Sequence, residues 1–131
     1  MTNTILIDSD VLIDFSRQRP DTLDWFRLAE AETTVIISDI TRMELFVGAR
    51  DQKDLNAINR MLHRFKRLPV SETISTRAVD LVHQYRLSHG LLIPDALIAA
   101  SALTLDISLA TRNHRDFQFI DGLRLASGVP A

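Results

Sequence analysis

Thr4-Ile5-Leu6-Ile7-Asp8 (TILID) is an apolar, Ile-rich run that ends on an acid. It is too short for a helix, so it reads as a buried strand that delivers a carboxylate at its C-terminal end. Two further runs, Val35–Ser38 (VIIS) and Ile107–Thr111 (ISLAT), have the same character. The spacing predicts helices between them. Val11–Arg17 carries Val11, Leu12 and Phe15 on one side and stops near Pro20, and Asp21–Ala31 buries Leu23, Phe26 and Trp25. Asp39–Gly48 follows the second strand directly, with Ile40, Met43 and Val47 at three- and four-residue intervals before a glycine stop. Asp51–Leu68 is amphipathic, with Leu55, Ile58, Leu62 and Phe65 on one stripe. Ser75–His89 turns Ala78, Leu81, Val82 and Tyr85 inward and ends at Gly90, and Pro94 opens a helix to Leu105 that is apolar on nearly every side. Brief strands are expected at Leu68–Val70 and at Phe117–Ile120. Short apolar strands alternating with helices imply an α/β fold, with a short parallel central sheet covered by helices on both faces.

At 131 residues the chain reads as one domain, 1–131, large enough for a core that needs no metal or disulfide to hold it. No internal repeat and no Pro/Gly/Ser-rich linker divides it. The formal net charge of −2 gives no bulk field for nucleic acid, so any such partner must be held locally. The absence of cysteine excludes thiol catalysis, Cys-ligated zinc, iron–sulfur clusters and disulfides, and suits a cytoplasmic location. The start, MTNTILID, lacks a basic leader region, and no apolar run approaches the roughly 18 residues of a spanning helix. Transport and receptor functions are set aside, and no membrane partner is expected.

In parallel α/β sheets ligands bind at the carboxyl ends of the strands. The polar residues expected there are acidic: Asp8 ends the first strand with Asp10 just beyond, and Glu44 lies in the helix after the second. Asp95 sits in the first turn of the helix that Pro94 opens, and Asp116 follows the strand ending at Thr111. Each has a structural reading as well. Asp10 fits the N-cap of the first helix, Asp95 complements a helix dipole, and Asp116 can be a solvated loop acid. Glu44 falls between Ile40, Met43 and Val47, where a carboxylate needs a cation, a donor or a metal, and Arg42 could supply a salt bridge. Carboxylates converging in a partly desolvated cleft repel one another, which raised pKa values or bound cations relieve. An all-oxygen set suits Mg²⁺ or Mn²⁺, which polarise phosphoryl oxygens and acidify water. Phosphoryl hydrolysis is the reaction class indicated.

The segments ILIDSD (Ile5–Asp10), Ser38 to Glu44 with Gly48 beyond, PDALIAASAL (Pro94–Leu103) and LATRNHRDF (Leu109–Phe117) resemble, in order and spacing, the PIN-domain ribonucleases. Within that family the short chain is most similar to the VapC toxins of toxin–antitoxin pairs. The resemblance implies metal-binding catalytic acids at Asp8, Glu44, Asp95 and Asp116, with Ser9 in place of the family's common Thr and Asp10 where Asn is frequent. It also implies support from Thr111, with Asn113 or Asp116 completing the site. A water activated on one or two Mg²⁺ or Mn²⁺ ions would attack an RNA phosphorus and leave 5′-phosphate and 3′-hydroxyl ends. The implied partners are RNA, frequently transfer RNA, a small cognate antitoxin protein and a second copy of the chain.

Arg17, Arg42, Arg112 and Arg115 lie near the same strand ends and are candidates for the RNA backbone. The basic residues Arg60, His63, Arg64, Lys66 and Arg67 read as the wet face of one helix, and His114 as an exposed loop residue. Two rivals remain. The opening hydrophobic run with D-x-D also resembles haloacid-dehalogenase-type phosphatases, which need a late Lys, whereas Lys53 and Lys66 both come early. A catalytically inactive PIN scaffold acting as a binding module is the other, and the presence of all four acids argues against it.

Overall fold

Side chains alternate across a strand, so a strand buried on both faces must be apolar at every position. Ile5, Leu6 and Ile7 meet that condition and form the centre of the sheet. The computed structural model describes residues 3–131; the reading of Met1 and Thr2 as part of a start without a leader lies outside them. Along the chain lie β1 (Asn3–Ile7), α1 (Ser9–Ser16), α2 (Pro20–Glu32), β2 (Thr33–Ser38), α3 (Asp39–Val47) and α4 (Gln52–Leu62). They are followed by β3 (Lys66–Leu68), α5 (Glu72–His89), α6 (Ile93–Leu105), β4 (Ser108–Ala110) and α7 (His114–Phe117). The sheet order is β3-β2-β1-β4 and every pairing is parallel, with Ile5 opposite Val35 on one side and Ser108 on the other.

Period-two alternation splits the core in two. Leu6, Ile36 and Leu109 face α5 and α6, meeting Ala78, Leu81, Ala96, Ala99, Ala100 and Phe117. Ile5, Ile7, Val35, Ile37 and Ala110 face the other way, toward Val11, Leu12, Phe26, Leu45, Leu62 and Phe65. The run of alanines in α6 lets that helix lie deep, with Ala96, Ala99, Ala100 and Ala102 all fully buried. Gly90 ends α5 at φ +69°, a left-handed conformation that costs glycine little, and Pro94 fits the first turn of α6.

Three expected elements differ. The amphipathic helix ends at Leu62 rather than Leu68: the chain turns with Phe65 N–H donating to the Leu62 carbonyl, and Lys66–Leu68 then pairs with Ile36–Ser38. Phe65 is nonetheless buried against Phe15 and Phe26, so its place on the helical stripe reflects packing rather than helix. The third strand accordingly comes at Lys66–Leu68 instead of Leu68–Val70. No strand forms at Phe117–Ile120. Phe117 and Ile120 are both buried, three residues apart, and Ile120 N–H donates to the Phe117 carbonyl, which is turn spacing. The extended partner of β4 is instead a bridge from Leu109 to Leu125. Because all strands run the same way, the residues after β1, β2 and β4 open onto one edge of the sheet.

Candidate active site

Asp8 follows β1 and caps α1, its Oδ1 accepting from the Ser9 N–H at 2.9 Å. The cap is therefore Asp8 rather than Asp10, because the helix starts as soon as the strand ends. Asp8 Oδ2 accepts from the Thr111 hydroxyl at 2.9 Å, so the residue after β4 is tied to the residue after β1. Asp10, in the first turn of α1, accepts from the Arg112 N–H at 3.0 Å through Oδ2, while its Oδ1 is buried without a hydrogen-bond partner. Thr111 Oγ1 accepts in turn from the Asn113 N–H at 3.0 Å. Asp95 lies half-buried in the first turn of α6; Glu44 and Asp116 stand exposed at the rim, on α3 and α7.

The electrostatics tie these carboxylates together. Burial pushes Asp8 up to about 6, aided by the charges of Asp10 and Asp95 and opposed by the Thr111 and Ser9 hydrogen bonds. Burial likewise pushes Asp95 up to about 6, with Asp116, Glu44 and Asp10 adding to it. Glu44 is raised by partial burial and by Asp8, with the Ser9 side chain holding it back and Asp10 raising it. Asp10 is raised by burial and held down chiefly by the amides of Arg112 and Val11. The residues that the sequence nominated from four separate stretches thus act on one another electrostatically.

Glu44 reaches the cluster for a different reason from the one its neighbours suggested. Met43 and Val47 are 53% and 85% exposed, whereas Thr41 and Leu45 form the buried side of α3. Glu44 therefore looks over the cleft edge instead of lying on an apolar stripe, and Arg42 pairs with Asp39, not with Glu44. Of the basic candidates, Arg112 donates through Nη1 to Asp14 at 2.7 Å, and Arg17 and Arg115 are exposed. Arg64 pairs with Glu30 and Arg67 with Asp39; Lys66 and Arg67 lie on β3, so the expected basic helix face is divided between two elements.

Among the described residues no three acid or imidazole side chains stand close enough, in these rotamers, to grip one ion. The donor chemistry fits a hard divalent cation all the same. Every donor is a carboxylate or hydroxyl oxygen, Asp10 holds a buried oxygen with no partner, and the charges that raise Asp8, Glu44 and Asp95 are all negative.

A PIN-domain family model matches residues 5–123. The chain belongs to the PIN-domain family. Ribonuclease VapC10 of Mycobacterium tuberculosis is 36% identical over 127 residues, covering 96% of this chain and 95% of that protein. Ribonuclease VapC1 of Rickettsia felis is 30% identical over 131 residues, covering 92% and 93% of the two chains. Among solved structures, a toxin–antitoxin complex from Klebsiella pneumoniae matches at 33% identity and TM-score 0.72, covering 91% of this chain and 94% of that one. The DNA-bound VapBC of Salmonella typhimurium shares the fold, with TM-score 0.79 at 22% identity over 96% and 98% of the chains. Membership in this family displaces the haloacid-dehalogenase reading of D-x-D.

Two acids of this PIN domain lie outside the metal-binding set expected from the sequence. Asp10, expected at the strand edge as a helix cap, faces the loop after β4 and enters the electrostatics of Asp8, Glu44 and Asp95. Asp14 is 3% exposed in α1, three residues past the buried Val11. That spacing, an acid on a helix's inward stripe, was the available signal.

Proposed function

We propose that this PIN domain is the endoribonuclease of a toxin–antitoxin pair, and that it hydrolyses RNA phosphodiester bonds at Asp8, Glu44, Asp95 and Asp116. One observation carries the reading: Asp8, at the end of β1, and Asp95, at the start of α6, are each held up to about 6 by burial and by neighbouring carboxylates. A site that concentrates negative charge in this way is suited to a divalent cation and poorly suited to an anionic substrate without one. The relatives named Ribonuclease VapC support the activity, and the Klebsiella toxin–antitoxin complex supports a cognate antitoxin.

Asp8 and Asp95 would hold Mg²⁺ or Mn²⁺, joined by Glu44, Asp116 or both, with Asn113 an alternative at the last position. The bound cation would polarise a phosphoryl oxygen and lower the pKa of the attacking water. The chain's own residues do the rest. Ser9 and Thr111 orient the Asp8 carboxylate by donating to its two oxygens. Glu44, raised by partial burial and by the charge of Asp8, would take a proton from the attacking water where Asp116 rather than Glu44 joins in holding the cation. Arg115, exposed on α7, would meet the RNA backbone. Residues 1–131 would act as one nuclease unit, in the cytoplasm and as a homodimer, on RNA of the transfer-RNA class; among the described residues no helix is long and apolar enough to cross a membrane.

The test is to incubate the purified chain with total RNA and Mg²⁺ or Mn²⁺, and to map the ends produced. Metal-dependent cuts bearing 5′-phosphates, lost in Asp8→Asn, are expected. Binding without cleavage under every metal condition would turn the reading to an inactive scaffold.

A further inference from the structure

The loop that follows β4 brings Thr111 and Arg112 to the acids, and something must hold it there. Asp14 is almost wholly buried on α1, one turn beyond Asp10, and accepts from Arg112 Nη1 at 2.7 Å through Oδ2. Its other oxygen lies 3.6 Å from Arg19 Nη1. The same Arg112 donates its backbone N–H to Asp10 at 3.0 Å, and its neighbour Thr111 donates to Asp8 at 2.9 Å. Side chain, amide and hydroxyl of two consecutive residues are thus pinned to three acids of one helix and its cap.

We propose that the Asp14–Arg112 ion pair is a positioning device of the active site, clamping the loop after β4 onto α1 so that Thr111 and the Arg112 amide stay on Asp8 and Asp10. This rests on the nuclease reading given above. The alternative for Arg112 is direct contact with RNA. That contact would draw the guanidinium away from a buried carboxylate and leave it only the longer 3.6 Å contact with Arg19, and an under-paired buried carboxylate is costly. The clamp also explains an acid on the inward stripe of α1, where an apolar side chain would otherwise pack. Asp14 and Arg112 touch no reacting atom in this scheme; they act through Thr111 and the loop backbone.

The experiment compares Asp14→Ala, Arg112→Ala, Arg112→Lys and the Asp14→Ala/Arg112→Ala double variant in the full chain, at a temperature where melting shows each to be folded. Single-turnover RNA cleavage is expected to fall about tenfold or more in both alanine variants while RNA affinity changes little, since small misplacements at a site cost rate. The double variant should be no slower than the singles, because all remove one device, and Arg112→Lys should recover part of the rate. Should an alanine variant not fold, Asp14→Asn, which keeps volume and one acceptor, takes its place. A second readout needs no activity: amide hydrogen exchange at Arg112 and Asn113 should speed up in Asp14→Ala relative to the wild type. Loss of RNA affinity in Arg112→Ala alone, with Asp14→Ala unaffected, would assign Arg112 to the substrate and overturn the clamp. So would unchanged exchange at both amides. If the wild type cleaves no RNA, the nuclease reading fails while the exchange measurement still decides the clamp.

Discussion

The Thr111 hydroxyl donates to Asp8 Oδ2 at 2.9 Å across 103 residues of sequence, and both side chains are buried. Because it stabilises the charged carboxylate, this hydrogen bond works against the burial that raises Asp8. Thr111→Val keeps the shape and removes the donor. It also removes the acceptor of the Asn113 N–H. Asp8 is expected to titrate higher still, by on the order of one pH unit, and the protein to lose about 1–3 kcal/mol of stability. Carboxylate-detected NMR on metal-free protein reads the first and urea unfolding the second; a lower Asp8 titration in the variant would contradict the assignment.

Asp8 also sets a pH dependence whose sign is opposite to that of a salt-bridged acid. Its folded-state value of about 6 lies above the 3.8 of an ordinary aspartate, so between those values the folded chain binds more protons than the unfolded one. Stability from this group is complete below the lower value and is lost as pH rises through the upper one. Asp8→Asn, which can still cap α1, should therefore make the metal-free protein more stable at pH 7.5 by about 1–3 kcal/mol and leave it nearly unchanged at pH 3.5. Urea unfolding in EDTA at both pH values checks this. A destabilised variant at pH 7.5 would show that Asp8 is not held against its charge.

The sheet and the acids differ in how far local pattern could reveal them. Strands buried on both faces must be apolar throughout, so TILID, VIIS and ISLAT could be recognised without knowledge of their partners. Phe117–Ile120 could not be told from a strand by composition, because its two buried residues are three apart and a turn satisfies them equally well. Asp8 and Asp95 announce themselves by following a strand and opening a helix. Glu44 was nominated from the right premise applied to the wrong side of α3, since Thr41 and Leu45 occupy its inward face. The premise was correct for Asp14, whose partner Arg112 lies on another element and is invisible to any window of sequence.

Glu44 offers a way to separate chemistry from folding. It lies at the rim, makes no part of the buried side of α3, and is raised by its surroundings and by the charge of Asp8. Glu44→Gln should therefore spare the fold, and should leave melting unchanged or slightly raised as repulsion with Asp8 and Asp95 is relieved. RNA cleavage should fall by about a hundredfold or more if Glu44 takes the water's proton. Single-turnover rates beside thermal melts make the test, and full activity in Glu44→Gln would remove it from the site.

Protons and a divalent cation compete for the same oxygens, which makes metal binding measurable without any substrate. Carboxylates that hold protons up to about 6 must release them to bind an ion, so metal affinity should be weak at pH 5 and strengthen toward pH 7.5. A ligand present at a hundred times its dissociation constant adds about 2.7 kcal/mol to the stability of the state that binds it. Mn²⁺ titrated into EDTA-stripped protein should accordingly raise the melting temperature at pH 7.5, do so far less at pH 5, and have little effect on Asp8→Asn or Asp95→Asn. The two variants begin from a more stable metal-free state, so the informative quantity is the increment on adding Mn²⁺ and not the absolute melting temperature. Equal increments in wild type and both variants would mean that the cation binds elsewhere on the acidic surface. In that case the mutual repulsion of Asp8 and Asp95 would need another explanation than a metal centre.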